Sequence, residues 1–120
     1  MEMLTAAELL AAIGHESRLA IFRLLVEAGP QGMNAGAIGE QLGMAPATLS
    51  FHLAQLSRVR LIEGERKSRF IRYSANYATM DELLVFLTRN CCQGAACLPK
   101  STGATPPNKR RAGKGRSKSS

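Results

Sequence analysis

The sequence predicts a small α+β domain, mostly helical, in which four helices lead into one β-hairpin and a fifth helix follows it. Three observations lead there. Apolar residues recur at helical spacing through much of the first 60 positions, as in LAIFRLLVEAG and ATLSFHLAQLSRV. The period then changes to a β-branched and aromatic run at FIRYS, and helical spacing returns in MDELLVFLTRNCCQ. At 120 residues the chain has room for a single core, marginal enough that association as a homodimer is expected.

The first helix is expected at Thr5, which forms a capping-box pattern with Glu8, and it carries Leu9, Leu10 and Ile13 to a stop near Gly14. His15 to Arg18 open a second helix with Leu19, Phe22, Leu25 and Val26 on one stripe, and Gly29-Pro30 stop it. Asn34 caps a third, whose Ile38 and Leu42 face inward and whose Gly43 suits a left-handed C-terminal position. A sharp turn follows. Pro46 takes the first position of a fourth helix, with Leu49, Leu53 and Leu56 as its buried stripe. The hairpin occupies Leu61 to Ser74 and turns near Lys67-Ser68. Thr79 with Glu82 repeats the capping-box pattern and starts the fifth helix, expected to end at Gly94; Met80, Leu83, Leu84 and Leu87 form an apolar stripe that Cys91 continues.

The formal net charge of +7 is unevenly placed. Seven of the 16 cations lie at residue 99 or beyond, where no acid stands, leaving nine cations against nine acids in residues 1–98. Residues 1–98 are therefore expected to form the folded domain, and 99–120, rich in Pro, Gly, Ser and Lys, a disordered basic tail. Such a tail adds salt-dependent, sequence-independent DNA affinity, or serves only as a solubilising extension. No apolar run of about 18 residues occurs. The opening MEMLTAAELLAAIG lacks the basic start of a secretory signal, so the expected location is cytoplasmic.

Two short helices separated by a glycine-containing turn and followed by a cationic hairpin make a winged helix-turn-helix, whose second helix enters the major groove of DNA. With Leu49 at 0° and about 100° per residue, Ala47, Phe51, Ala54 and Arg58 fall within about 40° of the direction opposite the core. Thr48, Ser50 and Gln55 flank them. Phe51 points away from the apolar stripe, where it either contacts a thymine methyl or packs on a neighbouring element. Ser50 and Gln55 suit base edges or phosphates and Arg58 a phosphate, with a merely solvated surface role the alternative for each. In the hairpin, Arg66, Lys67, Arg69 and Arg72 are candidates to straddle the DNA backbone or to place an arginine in the minor groove.

Residues 5 to about 93 resemble the arsenical-resistance (ArsR) family of bacterial metal-responsive repressors, in GHESRLAIFRLL, in IGEQLGMAPATLSFHLAQLSRVRLI and in the wing ERKSRFIRYS. The resemblance implies a homodimer joined through its first and fifth helices and bound to an inverted-repeat operator. It also implies DNA contacts at Pro46, Ala47, Ser50 and Phe51. Many relatives carry a histidine where Phe51 stands, so base preference does not carry across.

All three cysteines lie in NCCQGAAC, Asn90 to Cys97. In a reducing compartment a clustered, odd set points to metal binding or redox sensing before a disulfide framework. The family's arsenic site at the start of the third helix needs cysteines, which MNAGAIGEQLG lacks. Its zinc site on the fifth helix needs paired Asp and His, and that helix has only Asp81 and Glu82. What remains is a three-thiolate site of Cys91, Cys92 and Cys97, with Gly94 letting the chain reverse. Trivalent arsenic or antimony takes three sulfurs in a trigonal pyramid whose apex is its lone pair. The expected inducer is thus As(III) or Sb(III), releasing an operator-bound apo homodimer. Other readings are a thiol-redox or other thiophilic-metal-responsive repressor, and a non-sensing DNA-binding protein dominated by its tail; Cys91 alone suits a core position. No nucleophile–base pair, phosphate loop, paired carboxylate motif or CxxC occurs, so neither an enzyme nor a catalytic cofactor is expected.

Overall fold

The computed structural model describes residues 1–91. They comprise a compact unit, Met1–Phe86, and residues 87–91 of a second unit, Leu87–Ser120. Cys92, Cys97 and the tail expected at 99–120 lie outside the described residues. The elements run α1 (Met3–Ile13), α2 (Glu16–Ala28), β1 (Met33–Asn34), α3 (Ala35–Leu42), α4 (Pro46–Arg58), β2 (Ile62–Lys67), β3 (Phe70–Ala75) and α5 (Tyr77–Thr88).

Helix α1 starts two residues before the expected Thr5, from an extended Glu2 whose carbonyl accepts the Ala6 amide at 2.9 Å. Met3 and Leu4 are good helix formers and need no side-chain cap to extend the turn. Its Ala6, Leu9 and Ala12 are buried. Helix α2 begins after His15, whose Nδ1 accepts the Ser17 amide at 3.1 Å. Its inward stripe is Ile21, Phe22 and Leu25, with Val26 partly buried; Leu19, expected on that stripe, is 47% exposed. The stripe is turned relative to the expected one because Ile21 takes the deepest position, 200° round the helix from Leu19 by about 100° per residue.

Two neighbouring features follow the expectation closely. The Asn34 side chain accepts the Ala37 amide at 2.8 Å to start α3, and Gly43 ends it at φ 66°, ψ 37°, a conformation in which glycine carries no β-carbon penalty. Pro46 sits in the first turn of α4, whose Leu49, Leu53 and Leu56 are buried.

The sheet has three strands in the order β1-β3-β2, all antiparallel. Strand β1 was not expected: two residues carry no alternation, and only its pairing of Met33 with Tyr73 and Asn34 with Arg72 makes it a strand. The hairpin pairs Ile62 with Ala75 through Lys67 with Phe70, and the turn residue Ser68 has φ 60°. Helix α5 is capped by Asn76 rather than by Thr79: the Asn76 side chain accepts the Thr79 amide at 3.2 Å, and Thr79 lies inside the helix. The helix ends at Thr88, before the expected Gly94, and Asn90 follows with φ 61°. Asparagine tolerates that left-handed conformation and ends a helix as glycine does. Cys91 therefore does not extend the α5 stripe, in which Leu83 is buried, Met80 partly so, and Leu84 and Leu87 exposed.

One core joins these elements, with Leu9, Ile21, Leu25, Ile38, Leu56, Leu61 and Ile62 fully enclosed. It brings α1, α2, α3, α4 and the base of the hairpin against one another and leaves the outer face of α4 and the hairpin tip to solvent.

Candidate nucleic-acid interface

Helices α3 and α4 meet at Gly39. Its carbonyl accepts the Gly43 amide and, at 3.0 Å, the Met44 amide, closing the turn between the helices. A β-carbon at Gly39 would lie 3.1 Å from the Met44 carbonyl oxygen and 3.4 Å from Leu49 Cδ2, so the absent side chain sets how closely the helices approach. The pair has the helix-turn-helix arrangement, with α4 second.

The outward face of α4 carries the residues selected by phase. Pro46, Ala47, Thr48, Ser50, Phe51, Ala54 and Arg58 are exposed, and Gln55 is half-buried. Phe51 is 58% exposed, and its ring meets the adjacent His52 ring edge-on at 5.5 Å. Arg58 donates to the Gln55 side chain at 3.0 Å, which pre-orders two polar groups on one stretch of helix surface.

The hairpin separates its four cations. Side chains alternate along a strand, and cross-strand partners share a face. Arg66 and its partner Ile71 lie on the face that continues the buried Ile62–Ala75 pair, while Lys67 and Arg72 lie on the opposite one. Arg69 stands in the turn with Ser68. Arg66, Lys67 and Arg69 are exposed, and Lys67 lies 3.6 Å from Glu65. Arg72 is half-buried; it donates to the Gln31 carbonyl at 3.0 Å and stands 5.9 Å from the Phe70 ring centre. It ties the hairpin to the segment before β1.

Behind α4 lies a group that phase alone placed at the border of the buried stripe. His52 is 6% exposed, and its Nδ1 lies 3.2 Å from Arg18 Nη1 of α2. A guanidinium has no acceptor, so the imidazole nitrogen accepts and the ring is neutral with its proton on Nε2. Arg18 Nε also donates to the Ala12 carbonyl in the last turn of α1. The His15 ring stands 4.8 Å away. Burial, then the neighbouring His15 and Arg18, hold the His52 pKa below the ordinary 6.5.

Of the three sulfurs, only Cys91 falls among the described residues, where it is half-buried. Among the described residues no three His, Cys, Asp or Glu side chains gather where they could hold a metal ion. No helix among them is long and apolar enough to cross a membrane.

Residues 13–65, which span α2 through most of β2, match the family described as Helix-turn-helix domain. Over 87 residues the chain is 31% identical to the HTH-type transcriptional regulator YgaV of Escherichia coli (strain K12), covering 72% of this chain and 86% of that one. The chain belongs to the ArsR family of winged helix-turn-helix transcriptional regulators. An ArsR-like transcriptional regulator from Rhodococcus sp. RHA1 superposes with a TM-score of 0.67 at 25% identity, covering 76% of this chain and 83% of that one. The transcriptional repressor BigR from Xylella fastidiosa does so with a TM-score of 0.56 at 29% identity, over 72% and 85%. As an ArsR-family member the chain is a DNA-binding regulator, not an enzyme. Within this ArsR-family fold, two contributors escaped the sequence reading. Arg18 stands at a helix start as an ordinary cation does, its partner His52 lying 34 positions away, and the cap of Asn76 on Thr79, as local as that of Asn34 on Ala37, is masked in sequence by the competing Thr79–Glu82 pattern.

Proposed function

We propose that the chain is a cytoplasmic, homodimeric transcriptional repressor that holds operator DNA when apo and releases it when As(III) or Sb(III) binds Cys91, Cys92 and Cys97. The grouping of every cysteine of the chain within seven residues carries this reading. Three thiolates are soft donors and match the three-coordinate demand of the trivalent metalloid. Thiols must lose protons to become ligands, so inducer binding weakens as pH falls.

Exposed apolar side chains support the homodimer through α1 and α5. Met3, Leu4 and Leu10 on α1, and Tyr77, Leu84 and Val85 on α5, are large and open to solvent in the single chain. Large apolar side chains left open in the single chain are suited to association, and a two-fold pairing would cover both copies at once. Two-fold pairing places the two α4 helices on an inverted repeat. In this reading Pro46, Ala47, Thr48, Ser50, Phe51 and Gln55 face the groove, with Phe51 on a thymine methyl. Arg58, Arg66, Lys67 and Arg69 meet phosphates or the minor groove, and Arg72 orients the wing.

Arsenite added stoichiometrically to the protein on an operator duplex, with reductant present, should weaken binding 5- to 150-fold by the ~1–3 kcal/mol usual for allosteric coupling. Fluorescence anisotropy reads it. Unchanged affinity would sink the metalloid reading, and Cys97→Ser that still releases would mean that two sulfurs suffice. Release by peroxide, reversed by dithiothreitol and indifferent to arsenite, would establish the redox reading instead. Binding that ignores duplex sequence and disappears on truncation after Leu98 would identify the tail as the DNA-binding part, and residues 99–120 as more than an extension.

A further inference from the structure

The reading helix is anchored by a polar chain that crosses three elements. His52, on the inner side of α4, accepts from Arg18 of α2 at 3.2 Å, and Arg18 donates in turn to the carbonyl of Ala12 in the last turn of α1. The rest of the inner face of α4 is apolar, through Leu49, Leu53 and Leu56. Apolar contacts are non-directional and permit a helix to roll or slide, whereas a charge-assisted hydrogen bond to a buried ring fixes one rotation. Phe51 is the neighbour of His52 and points outward, so the rotation that seats His52 also sets where Phe51 meets the groove. Helix α1 also carries the exposed Met3, Leu4 and Leu10, so the same chain leads from the reading helix to an apolar outer surface.

We propose that His52 is the positioning residue of the reading helix, acting through Arg18, and that operator binding selects its neutral ring. The inference rests on α4 being the helix that enters the groove and does not involve the cysteines.

Protonation breaks the chain at a defined atom. A proton on Nδ1 removes the acceptor for Arg18 and sets two cations against each other in a buried place. Among the described residues, the groups acting electrostatically on the ring are His15, the N-cap of α2, and Arg18 of α2. No acidic side chain from α1, α3 or β2 is among them to compensate. The chain therefore loosens as pH falls, and the affinity for DNA falls with it. That sign is diagnostic, because added positive charge on a DNA-binding surface ordinarily tightens binding.

The test uses the full chain, reduced and without arsenite or antimonite, on a duplex that this protein selects from a random-sequence pool at pH 7.5. Anisotropy at constant ionic strength should show the Kd rising about two- to fivefold between pH 7.5 and 5.5, as a His52 pKa about one unit lower in the bound than in the free protein requires; tenfold is the limit reached only well below both values. His52→Gln keeps an acceptor for Arg18 but cannot titrate, so its Kd should vary less than twofold over that range. Affinity of the wild type that is flat or increases on acidification would overturn the proposal, as would a wild-type pH profile in His52→Gln. Should His52→Gln fail to fold, the His52 ring-proton resonance of the wild type decides: its midpoint should lie lower on the duplex than off it, and equal midpoints overturn the proposal. Unaltered affinity in the double variant Ser50→Ala, Phe51→Ala would show that α4 is not the reader, removing the premise and the proposal with it.

Discussion

Gly39 of α3 lies close against Leu49 of α4: a β-carbon on Gly39 would touch Leu49 Cδ2 at 3.4 Å and crowd the Met44 carbonyl at 3.1 Å, leaving no space for a branched side chain without a shift. Gly39→Val should therefore push the two helices apart and cost ~1–3 kcal/mol, as overpacking does. Urea unfolding followed by circular dichroism measures the loss. Operator binding by the same variant should fall more than its stability explains, because the turn that aims α4 is the part displaced.

Phe51 and Leu56 stand on the same helix with opposite exposure, one 58% open and the other enclosed. Phe51→Ala should leave stability within about 0.5 kcal/mol of wild type, as exposed substitutions do, and cost ~1–3 kcal/mol of operator affinity, typical for a lost base contact. Leu56→Ala should do the reverse in emphasis, costing ~2–5 kcal/mol of stability through the cavity it leaves. Comparing the urea midpoints and the anisotropy curves of the two variants separates reading from folding.

The folded protein should lose stability on mild acidification. His52 in the folded chain has its pKa below the ordinary 6.5, so the unfolded chain takes up a proton that the folded chain refuses. Stability from this group is fully present above 6.5 and declines as pH falls from there toward the lower folded value; below that the contribution is flat. Urea unfolding at pH 7.5, 6.0 and 5.0 should show the decline in the wild type. His52→Gln should show a smaller decline over the same interval.

Asn76 joins two elements, accepting the Thr79 amide at the start of α5 and donating from Nδ2 to the Glu63 carboxylate of β2 at 3.3 Å. Asn76→Ala should cost about 1 kcal/mol, the usual worth of a helix cap. Asn76→Asp should recover most of it, since the carboxylate still caps, although it now faces Glu63. Hydrogen exchange of the first amides of α5 would report the cap directly.

Much of the reader was legible because its determinants are local. Asn34, Gly43 and Pro46 act within one turn of chain, and each does in the structure what its chemistry requires. The period of Leu49, Leu53 and Leu56 specified which side of α4 is buried, and hence that Phe51 is outside. The errors occurred where local signals compete. Thr5 and Thr79 each offered a capping pattern, yet Glu2 and Asn76 start those helices, because apolar Met3 and Leu4 extend one and the hairpin presents Asn76 to the other. Leu19 fitted a stripe on paper, and the deeper seat went to Ile21.

By itself, the sequence determined the order of helices, the outward face of α4, the hairpin, and the confinement of all cysteine to one segment, since each depends on periodicity or on residue type at close range. The tertiary structure decided the rest. Strand β1 exists only through β3, Arg72 serves the Gln31 carbonyl from 41 positions away, and Arg18 meets His52 across 34. These pairings carry no period in the chain, because their partners are selected by the packing of elements and not by their spacing along it.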